Sequence, residues 1–518
     1  MKRIVLALGL AASLVLPAAG QELSIGLGLN VTSIDPHFHN TTPNLNIAAQ
    51  LFDRLVHTDA RQRPVPGLAL SWRTLDPTTW EFVLRPGVRF ADGSAFGAED
   101  VLASLRRAPN VPNSPSSFGV YTRAIASAEA TGPLTVVLRT REPYPLLPYH
   151  LSAINIVARS VESASTAEFN SGRAAIGTGP YKVVAWTPGD RLVVERNPFW
   201  WGGENPWARV TYRLIVNDAA RVAALLAGDV QMIEAVPPND IQRLERDPNL
   251  QLSRALTTRF FFLHPDQFRE TTPFASDKTG QPLAKNPFLD ARVRRAVSHA
   301  INRTAIAERL FSGQAVPAGG VVPDAFFGGD PALGAPTYDP ELAKRLLAQA
   351  GYPDDFAITL HGPNDRYVND DQVVQAVAQM LARVGIQTKV ETMPWASFAS
   401  RSNRPDFSLI YIGWLSATGE ASSTLRSLLA TFNRETGMGS SNRGRYSSAA
   451  FDAKLAEALA EMDDAKRETR LREATRLALD DQGIVPLLYQ YSVWATRKPL
   501  DYTPRADDQT WAVRVKAQ

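Results

Sequence analysis

The sequence predicts a mixed α/β protein, β-rich at its start and built of alternating helices and strands later. In the early portion, large apolar residues alternate with polar ones, and Pro-Gly and Asp-Gly pairs turn the chain. From about residue 208, glycine-stopped helices take turns with short apolar strands. The length, 518 residues, suffices for about two to four units of ~100–200 residues each. A crevice between two such units is the default place for a ligand.

The elements follow in order. Trp80-Glu-Phe82-Val-Leu84 alternates apolar residues and reads as a strand. Pro86-Gly87 turns it into Val88-Arg-Phe90, and Asp92-Gly93 turns the chain again. Residues 99–107 read as a short helix and 134–139 as another strand. Residues 219–227 form a helix stopped by Gly228, with a strand at 230–236. Asp290 is placed to cap a helix whose apolar face is Val293, Val297, Ala300 and Ile301. Asp339-Pro340 is a cap followed by proline at the first helical position, and Gly351 ends that helix. A strand at 356–361 precedes a helix that Asn369 is expected to cap, with Gln372 completing a capping box. Gly385 closes it; strands follow at 386–391 and 407–412. Long helices between about 449 and 481 precede the apolar run Ile484-Val-Pro-Leu-Leu488. There are no fixed-period repeats and no low-complexity linker.

Composition narrows the function. Lys2 and Arg3, an apolar run at 4–16 and the small residues Ala18-Ala19-Gly20 read as a cleavable signal peptide, with the mature chain beginning near Gln21. The expected product is exported, without a membrane span. With no cysteine, disulfides, thiolate metal sites, a cysteine nucleophile and lipidation on an N-terminal cysteine are all excluded. The 55 basic and 52 acidic side chains nearly balance, and without a long basic run a nucleic-acid or membrane-surface role has little support.

Catalytic templates mostly fail. The chain has no G-x-S-x-G elbow, no G-x-x-x-x-G-K-[ST] loop and no H-E-x-x-H pair. The pairs Asp370-Asp371, Asp463-Asp464 and Asp480-Asp481 sit in or beside helical segments, as caps or solvated faces. His37-Phe-His39 would point two rings the same way on an extended segment. Two ligands without a third do not make a metal site, so they read as polar loop residues and no metal or cofactor is expected.

Several segments in order resemble one family. Gly177-Thr-Gly-Pro-Tyr181, Trp186-x-x-Gly189 and Arg196-Asn-Pro-Phe-Trp-Trp-Gly202 look like the signature of the extracellular solute-binding proteins of family 5, which serve ABC importers of peptides, nickel and related solutes. Phe82 to Gly93, Ala224-Leu-Leu-Ala-Gly228, Asp290 to Ala296, Ala300-Ile-Asn-Arg303, Tyr338-Asp-Pro-Glu341 and Ile484 to Leu488 extend the match over nearly the whole mature chain. Each segment also has a plain structural role as turn, strand exit or packing residue.

The resemblance implies a type II periplasmic binding protein fold of the large class: two lobes on a hinge, with an extra β-rich subdomain. Lobe I would span 21–263 and 488–518, with the subdomain near 58–173; lobe II would span 264–487. The implied function is reversible capture of a solute in the cleft and delivery to a membrane permease and its ATPase, by a monomer that performs no chemistry.

Ligand contacts follow from the same resemblance. Asn40, Thr41 and Thr42 correspond to a segment against the ligand, and Arg366-Tyr367 to the place where peptide binders put an arginine for a carboxylate. Arg443 and Tyr446 belong to a second basic cluster, at 442–446. Trp395 and Trp414 offer aromatic faces that would also suit a saccharide. The loop from Gly413-Trp414 through Ser416 to Glu420 would form the lobe II wall. Here the chain departs from peptide-binding relatives, which carry an aspartate three residues after the tryptophan for the peptide's ammonium; this chain has Ala417. Whether Glu420, three residues further on, replaces that acid stays open; with no free α-ammonium held at Ala417, simple dipeptides need not be the cargo. Peptide or peptide-like cargo leads, ahead of an anionic amino-acid conjugate, a nickel chelate or an oligosaccharide. An exported hydrolase or a sensory binder without a permease would be a different class.

Overall fold

A computed structural model describes residues 21–404, 406–416 and 418–517. Its centre is a sheet of twelve strands that runs through both halves of the molecule. At one end, Gln21–Leu27 pairs in parallel with Trp207–Leu214 and Met232–Ile233. At the other, Phe356–Pro363 pairs in parallel with Ile386–Met393 and Leu409–Leu415. Two long strands, Leu250–Pro265 and Val485–Arg497, join the ends and pair antiparallel along most of their length. Their register shifts between Leu256 and Phe260. Before the shift the second strand also pairs with Met232–Ile233, and after it the first pairs with Leu409–Leu415. The same two strands thus belong to one half-sheet at one end and to the other at the opposite end.

Side-chain periodicity explains this placement. Phe260, Phe261 and Phe262 are all fully buried. Phe261 packs with Val297, Leu360 and Val374, whereas Phe260 and Phe262 pack with Phe398, Leu425 and Leu455 on the opposite face. A separate four-stranded antiparallel sheet is ordered Ala69–Asp76, Thr79–Leu84, Thr135–Thr140, Ile125–Gly132. Trp80, Phe82 and Leu84 face its core, as their alternation predicts. Val88 to Phe90 does not become a strand. Asp92 Oδ1 accepts from the Ser94 N–H and hydroxyl and closes the turn, so only an Arg89–Ala95 bridge forms.

Most helix ends form where their residues place them. Asp290 accepts from the Arg292 N–H and opens helix Ala291–His299. Asp339 accepts from Leu342 N–H, ahead of Pro340. Two expectations need correction. Asn369 is in the left-handed region at φ 50° and its amide donates to the Leu310 carbonyl, so it does not cap helix Asp370–Ala382. Asp370 instead accepts from the N–H groups of Arg366 and Tyr367, folding that loop onto the helix. The strand expected at 230–236 shortens to Met232–Ile233, because Ala235 at φ 50° ends the extended run.

The glycine motif at 177–181 packs on the end of helix Thr42–Leu51. A Cβ on Gly179 would lie 2.5 Å from the Leu51 carbonyl carbon and 2.7 Å from Phe52 N. The Asn197 amide donates to the Gly179 carbonyl, and Asp53 accepts from Thr178 and Trp201 together, tying this motif to the tryptophan motif. Gly179→Ala is therefore expected to cost at least the ~1–3 kcal/mol typical of overpacking, since backbone rather than a flexible side chain must move. Thermal melting of the variant checks this.

Candidate functional site

Three adjoining cavities share the start of helix Thr42–Leu51, and two of them also reach Arg259 and Gln490 on the paired long strands. The main one has a volume of about 680 Å³, within the range of small-molecule sites. Its walls come from four places: Thr41 and Thr42 at the start of helix Thr42–Leu51, Arg366 and Tyr367 after strand Phe356–Pro363, Gly413 and Trp414 on strand Leu409–Leu415, and Arg259 and Gln490 on the crossing strands. Trp395 and Arg443 complete it. A second cavity of about 260 Å³ shares Thr42, Arg259 and Gln490. A third, of about 240 Å³, shares Thr41 and Thr42 and adds Asn40 and Ser416.

The aromatic wall is rigid. The Tyr367 hydroxyl donates to the Gly413 carbonyl at 3.1 Å, and its ring stands edge-on to Phe261 at 5.3 Å and Trp395 at 6.1 Å. A Cβ on Gly413 would meet the Phe261 ring at 2.8 Å and Tyr367 at 3.0 Å. Glycine before Trp414 thus lets two rings close over the strand. The buried Trp414 indole N–H has no partner among the described residues.

The electrostatics are lopsided. Arg259, Arg366 and Arg443 line the main cavity, and no acidic residue does. Arg259 lies 3.6 Å from Asp508. Among the described residues no carboxylate pairs with the other two. The Arg366 guanidinium lies 5.1 Å from the Trp395 ring centre. Arg443 donates to the Ser402 hydroxyl at 3.0 Å and the Asn403 amide oxygen at 3.3 Å, and burial pulls its pKa down. Arginine still keeps its proton, so the charge remains. Helix Thr42–Leu51 also begins at this wall, with no acidic residue in its first turn. Every fixed charge on the main cavity's wall favours an anion.

The structure gathers Thr41, Thr42, Arg366, Tyr367, Trp395, Trp414 and Arg443 around the main cavity and puts Asn40 and Ser416 on the third. Asn40 accepts from the Tyr121 hydroxyl, and Ser416 donates to the Glu420 carbonyl. Ala417 lies outside the described residues. Two expected contacts do not reach the cleft. Glu420 is 0% exposed. Its carboxylate accepts from the N–H groups of Ser422 and Ser423 and the hydroxyls of Ser422 and Thr418, and pairs with Arg467 at 3.4 Å. No capacity is left for a ligand ammonium. Tyr446 is buried against Phe451 in the hydrophobic core.

His37 and His39 have separate partners. His37 Nδ1 lies 3.1 Å from Arg107 and Nε2 2.8 Å from the Asn155 carbonyl; His39 Nδ1 lies 3.0 Å from the Thr32 hydroxyl. Burial, with Arg107 beside it, lowers the His37 pKa to about 4. Among the described residues no group of three or more His, Cys, Asp or Glu side chains could hold a metal ion.

Arg259, Gln490 and Asp508 escape sequence reasoning because none belongs to a motif. Only Arg259 leaves a trace, as a charge opening the apolar run Arg259-Phe-Phe-Phe-Leu263.

The profile described as "Bacterial extracellular solute-binding proteins, family 5 Middle" matches residues 63–436. The glutathione-binding protein GsiB of Salmonella paratyphi A is 30% identical over 512 residues, covering 95% of this chain and 94% of the relative. Among solved structures, HbpA2 from Haemophilus parasuis superposes with a TM-score of 0.81 at 21% identity, covering 96% of this chain and 100% of that one. The Escherichia coli murein tripeptide binding protein MppA gives 0.72 at 24% identity, covering 96% and 99%. These likenesses fix the fold as that of the type II periplasmic binding proteins.

Proposed function

The chain belongs to the bacterial extracellular solute-binding proteins of family 5, and from that premise we propose that its solute is a peptide-like acid carrying at least two carboxylates. The observation that carries this reading is the main cavity: among the described residues three arginines and no acid line it, and only Arg259 of the three has a carboxylate partner. A guanidinium fork matches a carboxylate plane through two parallel hydrogen bonds. Glutathione, named in the relatives, has this chemistry: two carboxylates, one ammonium and a peptide backbone.

The two halves act as the lobes, 21–263 with 488–518 against 264–487, the extra subdomain lying near 58–173. Asn40, Thr41, Thr42, Arg366, Tyr367, Trp395, Trp414, Ser416 and Arg443 are the contacts assigned to the cleft. Rotation about the two long strands buries the solute, and the closed form delivers it to a permease and ATPase at the inner membrane. The protein works in the periplasm as a binder without catalytic activity. No helix among the described residues is long and apolar enough to cross a membrane.

Calorimetric titration of the mature chain with glutathione, Ala-Ala and a nickel–histidine chelate tests this. The expected result is glutathione binding at least ~30-fold tighter than Ala-Ala, from the second carboxylate's charge-assisted bonds. It should also weaken as salt rises from low to physiological strength. Equal or tighter binding of Ala-Ala, or of the chelate, would contradict the reading.

A further inference from the structure

The second cavity differs in character from the first. Asp218, Glu234 and Asp508 line it, and Arg259, at its junction with the main cavity, is its one cationic residue. The joined space is therefore polarised, cationic in the large chamber and anionic in the small one. We propose that the small chamber takes the ammonium end of the solute, with Asp508 as its acceptor. This rests on the reading of the main cavity as a carboxylate site.

The three acids are not equivalent. The Asp218 side chain is mostly exposed and pairs with Arg221 at 2.6 Å. Glu234 is engaged: it accepts from the Gly28 N–H at 3.1 Å and the Thr510 hydroxyl at 2.6 Å. Burial pushes its pKa up, against the nearby Arg221 charge, and a cation in the chamber would favour its ionised form further. Asp508 accepts from the Ser492 hydroxyl and meets Arg259 only at 3.6 Å. It therefore keeps acceptor capacity facing the chamber.

A second observation points to a ligand here. Gln314 lines the same chamber, is 3% exposed, and its amide nitrogen has no partner among the described residues. A buried donor left unpaired is unfavourable, because it has lost its water without gaining a replacement. A carbonyl or carboxylate oxygen next to the ammonium would satisfy it. An α-amino acid terminus, such as that of a γ-glutamyl group, presents both features on one carbon. The chamber's volume of about 260 Å³ suits an end group better than a whole tripeptide.

The assignment is tested with the full mature chain and one ligand pair, glutathione and its N-acetyl derivative, titrated into wild type, Asp508→Asn, Asp508→Glu and Arg443→Ala. Wild type should prefer the free amine by ~30-fold or more, as for an ammonium paired with an acid inside a closed cleft. Asp508→Asn should cut that preference to about threefold or less while changing the affinity for the acetylated compound little; Asp508→Glu should keep most of it. A preference unchanged in Asp508→Asn, or equal losses for both compounds, overturns the assignment. Failure of the underlying carboxylate reading looks different: Arg443→Ala would leave both affinities unchanged. Absence of binding to either compound overturns both. Melting curves for each variant separate misfolding from lost recognition.

Discussion

Glu420→Ala is expected to destabilise the protein by about 3–5 kcal/mol, the range for breaking one side of a buried ion pair. Arg467 is 1% exposed, and its Nε and Nη2 already lack hydrogen-bond partners. Losing Glu420 leaves it the Asp464 carboxylate at 3.6 Å, on a mostly exposed side chain, and the Phe327 ring at 4.2 Å. The N-terminus of helix Ala421–Thr424 loses its cap in the same step. Glu420→Gln, which keeps an acceptor for the cap, should cost less. The double variant Glu420→Ala/Arg467→Met should recover part of the loss, because it removes the stranded charge. Thermal and urea melts of the unliganded mature chain check the series. A fully stable Glu420→Ala protein that loses its solute would instead restore this acid to the ligand site.

Arg443→Ala is expected to lower affinity for a dicarboxylate peptide by about 2–5 kcal/mol, or roughly 30-fold to several-thousand-fold. Its guanidinium is held by Ser402 and Asn403, two neutral acceptors. It is therefore positioned before the ligand arrives and loses little freedom on binding. Arg443→Lys should recover only part of the affinity, since an ammonium keeps the charge without the fork. Arg366 is more exposed and rests on Trp395, so Arg366→Ala should cost about 1 kcal/mol and show the stronger salt dependence. Calorimetry at two salt concentrations resolves both effects. An Arg443→Ala protein that binds as tightly as wild type would place the carboxylates elsewhere.

Local chemistry made much of the fold legible in the sequence. Asp290 and Asp339 cap the helices they precede, and the alternation at Trp80, Phe82 and Leu84 marks an inward-facing strand side. Those signals act within a few residues. The errors arose where the tertiary structure gave a residue partners that its own motif does not reveal. Glu420 looked free for a ligand because Arg467 stands 47 positions away. Tyr446 looked like part of a basic surface because Phe451 and the surrounding core could not be inferred. Asn369 lost its capping role to its neighbour Asp370, whose bonds run backward to Arg366 and Tyr367. Thr41, Arg366 and Trp414, singled out from their motifs, do line one cavity. Arg259 and Gln490 were hidden because they come together only when the two long strands pair.

The most direct test of the anionic-solute account is mass spectrometry of whatever small molecule leaves the natively purified protein on denaturation. The account predicts an amine-bearing, peptide-like acid with two or more carboxylates. A neutral saccharide, a nickel chelate or an uncharged dipeptide in stoichiometric amount would contradict it.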